Sequence, residues 1–196
     1  MQSQPLALQD LAENLAALIR TAQRQAVAGL GLQPVHLQAL QYLARANRYS
    51  NTPQSLADYL GMTKGTVSQS VLLLARKRLV SRYADEKDAR VVRLALTEQG
   101  RELLRQMTPA TPWREVLQGV SPARLSSALR VLREVVAGLE RLAGRKGYGW
   151  CHGCRHCMHI APRTYVCGLT REKLSSREVR MICRLYEPPE EKAPPA

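Results

Sequence analysis

Five cysteines lie between positions 151 and 183, and three of the four histidines, His152, His156 and His159, fall in the same stretch. Cys151-x-x-Cys154 puts two thiols on one tight turn, the spacing of a chelating knuckle, and Cys167 and Cys183 add two more from a distance. Four soft thiolates suit either an iron–sulfur cluster or tetrahedral zinc. Cys157 leaves a second ligand set open, because Cys151-x-x-Cys154-x-x-Cys157 is also a ferredoxin-like run in which it would replace one of the distant cysteines. A secreted chain would use such cysteines as a disulfide framework, whereas a reducing compartment directs them to metal. The three histidines read as neighbours of the thiols rather than as ligands.

A second group of residues points to a polyanion. The net charge is +13, and positions 1–150 hold 21 Lys/Arg against 11 Asp/Glu, while 151–196 hold 8 against 5. The excess of +10 against +3 therefore lies mostly ahead of the cysteines, where it favours nucleic acid or an anionic membrane surface. No run approaches the roughly 18 apolar residues of a membrane span, and Met1-Gln2-Ser3-Gln4 lacks the features of a signal peptide, so a cytoplasmic protein with no membrane partner is expected.

The elements that must carry these groups are mostly helical. Leucine or isoleucine at 8, 11, 15, 18 and 19 forms one apolar stripe, and a second helix follows from Pro34 to Ala46 on Leu37, Leu40 and Leu43. A third spans Pro53 to Leu60. Thr63 is placed to cap a fourth that runs to about Leu79, with Val67, Val71 and Leu74 on its inner side. Ala57, Gly61 and Val67 supply the small residue, the turn glycine and the β-branched crossing residue that a helix-turn-helix needs. Val80 to Tyr83 and Val91 to Leu96 then form a hairpin, or wing, around the polar turn Asp85-Glu86-Lys87-Asp88. A helix restarts at Thr97 and runs to about Met107, Pro109, Pro112 and Gly119 interrupt it, and a last helix covers Ser121 to Ala143 with Leu125, Leu129, Leu132, Val136 and Leu139 in line. Two such apolar helices exceed the needs of one small core and are expected to cover each other across a homodimer.

From Asp88 the chain reads Asp-Ala-Arg-Val-Val-Arg-Leu-Ala-Leu-Thr-Glu-Gln-Gly, and here Asp88, Arg90, Leu96, Thr97 and Gly100 match the MarR family signature. The resemblance covers roughly residues 6 to 142. It implies a mainly α, winged helix-turn-helix fold with a helical dimerisation region, and a dimer whose recognition helices enter successive major grooves of a pseudo-palindromic double-stranded DNA operator while the wings reach the minor grooves. Lys64, Thr66, Ser68 and Gln69 on the outer side of the fourth helix are then the groups for base edges or phosphates, Arg76, Lys77, Arg82 and Lys87 extend the positive face, and Arg90 enters the minor groove or staples the turn with Asp88. The cysteine segment resembles small iron–sulfur modules through Cys151, Cys154, Arg155, His156, Tyr165, Cys167, Cys183, Arg184, Tyr186 and Pro188. In that pattern Cys151, Cys154, Cys167 and Cys183 are the ligands of a [4Fe–4S] cluster, with zinc as the alternative metal.

The expected organisation is a winged-helix and dimerisation domain over 1–143, a basic glycine-rich linker over 144–150, a cysteine-rich module over 151–187 and a disordered tail over 188–196. The combined reading is a transcription regulator, not an enzyme, whose operator binding answers to the cluster through redox, oxygen or nitric oxide, with the last helix and linker as the route. Two alternatives stand beside it: a small-molecule-responsive MarR-type repressor with structural zinc, and an iron–sulfur electron carrier or enzyme with an attached winged domain. No nucleotide loop, acid/base pair or nucleophile constellation supports the last.

Overall fold

The computed structural model describes residues 3–107, 111–145 and 147–189. Helices α1 (Gln4–Val27), α2 (Pro34–Arg45), α3 (Pro53–Leu60) and α4 (Lys64–Arg76) lead into strands β1 (Val80–Ala84) and β2 (Val92–Leu96). Helices α5 (Glu98–Met107), α6 (Thr111–Val116) and α7 (Pro122–Leu142) follow. Proline occupies the first turn of α2 and α3, where a missing N–H costs nothing, and Thr52 Oγ1 accepts the Ser55 N–H at 3.1 Å to start α3. Thr63 caps α4 in the same way, accepting the Thr66 N–H at 3.2 Å.

Ala57 and Val67 are buried at the crossing of α3 and α4, and Gly61 between them takes φ 66°, the left-handed conformation that lets the chain turn so sharply. Leu37, Leu40, Leu56, Val71, Leu74 and Leu94 complete this core. Helix α4 stops at Arg76, short of the sequence expectation. Arg78 turns left-handed (φ 56°), and the next two residues, Leu79 and Val80, are buried as the chain enters β1. The restart at α5 is equally tight. Thr97 Oγ1 accepts the Gly100 N–H at 3.0 Å, and a Cβ on Gly100 would lie 2.1 Å from the Leu79 carbonyl oxygen, so only glycine lets α5 pass under β1.

The proline-rich interruption contains a short helix, α6, because Pro112 sits in its first turn, where proline is tolerated. Thr108 to Ala110 lie outside the described residues, as do Lys146 and the tail from Glu190 onward. Helix α7 has no buried residue among those described, and Leu129, Leu132, Val136 and Leu139 are exposed along it, as are Leu11, Leu15 and Leu18 on α1.

After α7 the chain adopts short strands: β3 (Gly149–Trp150), β4 (Cys157–Ala161), β5 (Thr164–Cys167), β6 (Lys173–Leu174) and β7 (Ile182–Cys183). β3 pairs with β7, and β4, β5 and β6 form a three-stranded antiparallel sheet. Cys151, Cys167, Leu174, Val179 and Cys183 form a small core of their own.

Candidate functional site

The outer face of α4 carries the groups proposed for DNA. Lys64, Thr66, Ser68, Gln69 and Arg76 are exposed, while Val67, Val71 and Leu74 point into the core. Lys77 departs from this face, donating to the Leu30 carbonyl at 3.1 Å. In the wing Arg82, Lys87 and Arg90 are exposed. Arg90 makes a two-pronged ion pair with Asp88, Nε to Oδ1 at 3.0 Å and Nη2 to Oδ2 at 3.1 Å, and its own N–H bonds Oδ1 as well. That pairing holds the Asp88 carboxyl below the usual carboxylate range. Asp85 shapes the turn by accepting the N–H groups of Lys87 and Asp88, and Arg93 Nε bonds its other oxygen at 2.6 Å.

The thiols assemble in the C-terminal module, whose Glu172 meets Lys87 at the tip of the wing. Cys151 and Cys157 are hydrogen-bonded to each other, Cys154 and Cys183 lie within electrostatic reach of Cys151, and Cys167 lies within reach of Cys157 and Cys183. Cys157 and Cys167 are also cross-strand partners in β4 and β5. All five positions therefore share one locality. Burial pushes the thiols of Cys151, Cys157 and Cys183 up, so they stay neutral unless a bound cation compensates the charge. Among the described residues no three His, Cys, Asp or Glu side chains form a ready single-ion site.

Polar groups around the sulfurs fit a thiolate-held group. The Glu187 N–H donates to Cys154 Sγ at 3.4 Å. Asn47, at the end of α2, is 2% exposed, and its Oδ1 accepts from the Tyr49 N–H and the Ser50 hydroxyl. Its Nδ2 has no well-aligned acceptor, yet it lies toward Cys183, where with the Leu185 N–H it pulls against the rise that burial imposes on that thiol. A buried N–H without an acceptor is costly, and a thiolate on Cys183 would satisfy it. The histidines stand apart from this set: His152 faces the Val179 carbonyl, His159 stacks on Tyr165, and His156 Nε2 sits 3.1 Å from Glu187.

The thiol locality is seated on the winged-helix core at the turn between α2 and α3. Asn47 N–H bonds the Ile182 carbonyl at 3.0 Å and Ala46 bridges Ile182 in parallel. The Arg184 N–H bonds Ser50 Oγ at 2.8 Å, and its guanidinium bonds Ser55 Oγ at 3.1 Å. Tyr148, in the segment read as a linker, donates to the Ser55 carbonyl and packs edge-on against Tyr59. Arg48 pairs with Glu178 through Nε and Nη2, and Lys87 of the wing pairs with Glu172, which also accepts from Tyr49 at 2.6 Å. Sequence reasoning passed over Arg48, Asn47, Glu172 and Glu178, since each gains its role from a partner far along the chain.

A winged helix-turn-helix with an exposed polar recognition face defines a class of DNA-binding regulators. The family model described as MarR family matches residues 30–91. The uncharacterized HTH-type transcriptional regulator YhbI of Bacillus subtilis (strain 168) is 30% identical over 115 residues, 57% of this chain and 73% of the relative. Among solved structures, S. aureus MepR in DNA-binding conformation aligns with TM-score 0.59 and 22% identity over 67% of this chain and 98% of that one. Streptococcus pneumoniae FabT in complex with DNA aligns with TM-score 0.55 and 23% identity over 69% and 99%. This chain belongs to the MarR family. It is a DNA-binding transcription regulator rather than an enzyme, and no helix among the described residues is long and apolar enough to cross a membrane.

Proposed function

We propose that this regulator binds its operator as a homodimer and that its affinity answers to a [4Fe–4S] cluster held by Cys151, Cys154, Cys167 and Cys183. When bound, such a cluster supplies a centre sensitive to electrons and small oxidants. The observation that carries the reading is the seating of five thiols against the same α2–α3 turn that holds the wing. Asn51 accepts the Leu94 N–H of β2 at 2.8 Å and bonds Arg93 through its side chain, while Asn47 and Ser50 just before it bond Ile182 and Arg184. The route we propose from thiols to DNA runs through β7 and the turn rather than through α7 and the linker. With the thiolates uncompensated, the buried sulfurs revert to neutral thiols, Asn47 loses a charged acceptor at Cys183, and the turn that supports the wing is less firmly held. Exposed leucines on α1 and α7 support the dimer, since a monomer would leave both stripes in water.

The test is iron, acid-labile sulfide and zinc content of protein purified without oxygen, followed by operator binding before and after cluster loss. Iron with sulfide and a changed affinity supports the reading; stoichiometric zinc or an unchanged affinity overturns it. Cys157→Ala should keep its iron, and retention in Cys167→Ala or Cys183→Ala with loss in Cys157→Ala would overturn the ligand set.

A further inference from the structure

The charge on the cysteine module is divided between paired carboxylates and exposed cations. Its three carboxylates over 147–189 are all engaged within the molecule. Glu172 meets Lys87 and Tyr49, Glu178 meets Arg48 and the Ser175 N–H, and Glu187 meets Arg155 at 2.8 Å. Arg163, Arg171, Lys173, Arg177 and Arg180 are exposed, and among the described residues none of them is in an ion pair. A surface left with one sign of charge is a phosphate-binding surface unless counterions alone occupy it.

Its position gives the partner. Arg171 and Lys173 flank Glu172, whose carboxylate is on Lys87 at the tip of the wing, so these two cations begin where the wing ends. Ser176 Oγ bonds the Arg163 carbonyl at 3.5 Å, which brings the turn at 163 beside Arg177. Arg163 and Arg171 both hold left-handed backbone, φ 60° and 59°, where glycine or asparagine would be less strained. Arginine at two such positions leaves a long cationic side chain exposed at each turn.

We propose that this outer edge of the cysteine module is a second DNA surface, gripping the phosphates of the duplex just beyond the wing's minor-groove contact. The proposal rests on the chain's DNA-binding role and adds a grip that the winged-helix domain does not supply. Phosphate contacts carry no base information, so the edge lengthens the footprint and strengthens binding without altering the preferred sequence.

The test compares the full wild-type chain with a variant carrying Arg163→Asn, Arg171→Asn, Lys173→Gln and Arg177→Gln, asparagine being chosen to keep the left-handed turns. With melting temperature and metal content as in the wild type, the slope of log affinity against log salt should become shallower by about 0.9 for each phosphate that the edge no longer neutralises. The hydroxyl-radical footprint should shorten at both outer ends while the preferred operator stays the same. The single variants Lys173→Gln and Arg177→Gln should each show part of the slope change, which keeps the test open if the fourfold variant misfolds. An unchanged slope and footprint would overturn the proposal while leaving the regulator reading intact. Absence of any duplex preference in the wild type would overturn both. Loss of binding to phosphatidylglycerol vesicles with an unchanged DNA slope would assign the edge to a lipid surface instead.

Discussion

Lys87, at the tip of the wing, is ion-paired to Glu172 of the cysteine module, and the same carboxylate accepts the Tyr49 hydroxyl. Lys87 and Tyr49 hold Glu172 below the usual carboxylate range, so the wing is tethered wherever that group is ionised. The sequence assigns Lys87 to DNA, and the tether gives it a second anion to choose.

Replacing Glu172 with Gln should release Lys87 to the duplex. We expect tighter binding at low salt, a salt slope steeper by about 0.9 for each freed lysine that meets a phosphate, and faster hydrogen exchange at positions 85–91. A melting temperature close to wild type would accompany it, because exposed pairs contribute little to stability. Weaker binding with unchanged exchange would show that the tether presents the wing to DNA instead.

Glu178 gives a pH dependence of known sign. Burial would raise its carboxyl, but Arg48 and the Ser175 N–H and hydroxyl outweigh that and hold it at about 2, against 4.5 unfolded. A carboxyl depressed on folding contributes stability that is complete above the unfolded value and lost as pH falls towards the folded one. The contribution, about 1–2 kcal/mol after allowing for solvent screening of the half-exposed Arg48, should fade between pH 4.5 and 2. Glu178→Gln should flatten that part of the melting-temperature profile. An equal acid slope in wild type and variant would refute the assignment.

Gly100→Ala should destabilise the winged domain by about 1–3 kcal/mol, because the added methyl meets the Leu79 carbonyl oxygen and the backbone there must move to relieve it. Denaturant unfolding measures it, and a neutral result would mean that α5 can slide away from Leu79.

For Arg90→Ala, specific binding should weaken roughly 5- to 140-fold if the guanidinium leaves Asp88 for the minor groove. Thermal unfolding should hardly change, since the pair is exposed. A large fall in melting temperature with intact affinity of the folded protein would assign Arg90 to the turn alone.

What was legible in the sequence follows from range. Thr52 and Thr63 cap helices within three residues, Ala57, Gly61 and Val67 set one crossing, and Thr97 with Gly100 closes the next, so each announces itself locally. The five thiols announced a site by clustering. The seat of that site did not, because Arg48 and Asn47 look like ordinary turn residues until Glu178 and Cys183 arrive from more than a hundred positions away. Arg93 was hidden similarly: at a half-exposed strand position it resembles a solvated charge, yet it joins Asp85 to Asn51. The end of α4 carries no sequence mark, because its left-handed turn falls on Arg78 rather than on a glycine.

The hydrogen bond between Arg184 and Ser50 closes a loop of 134 residues. Closure of so long a loop is entropically late, so the helical core should condense first and present the α2–α3 turn as a finished template on which the cysteine segment sets. The reverse process should begin at the same seam. Native-state hydrogen exchange should reveal β3 and β7 opening together at a lower free energy than α2 and α3, a partial unfolding in which the thiols meet solvent while the DNA-reading core is still intact.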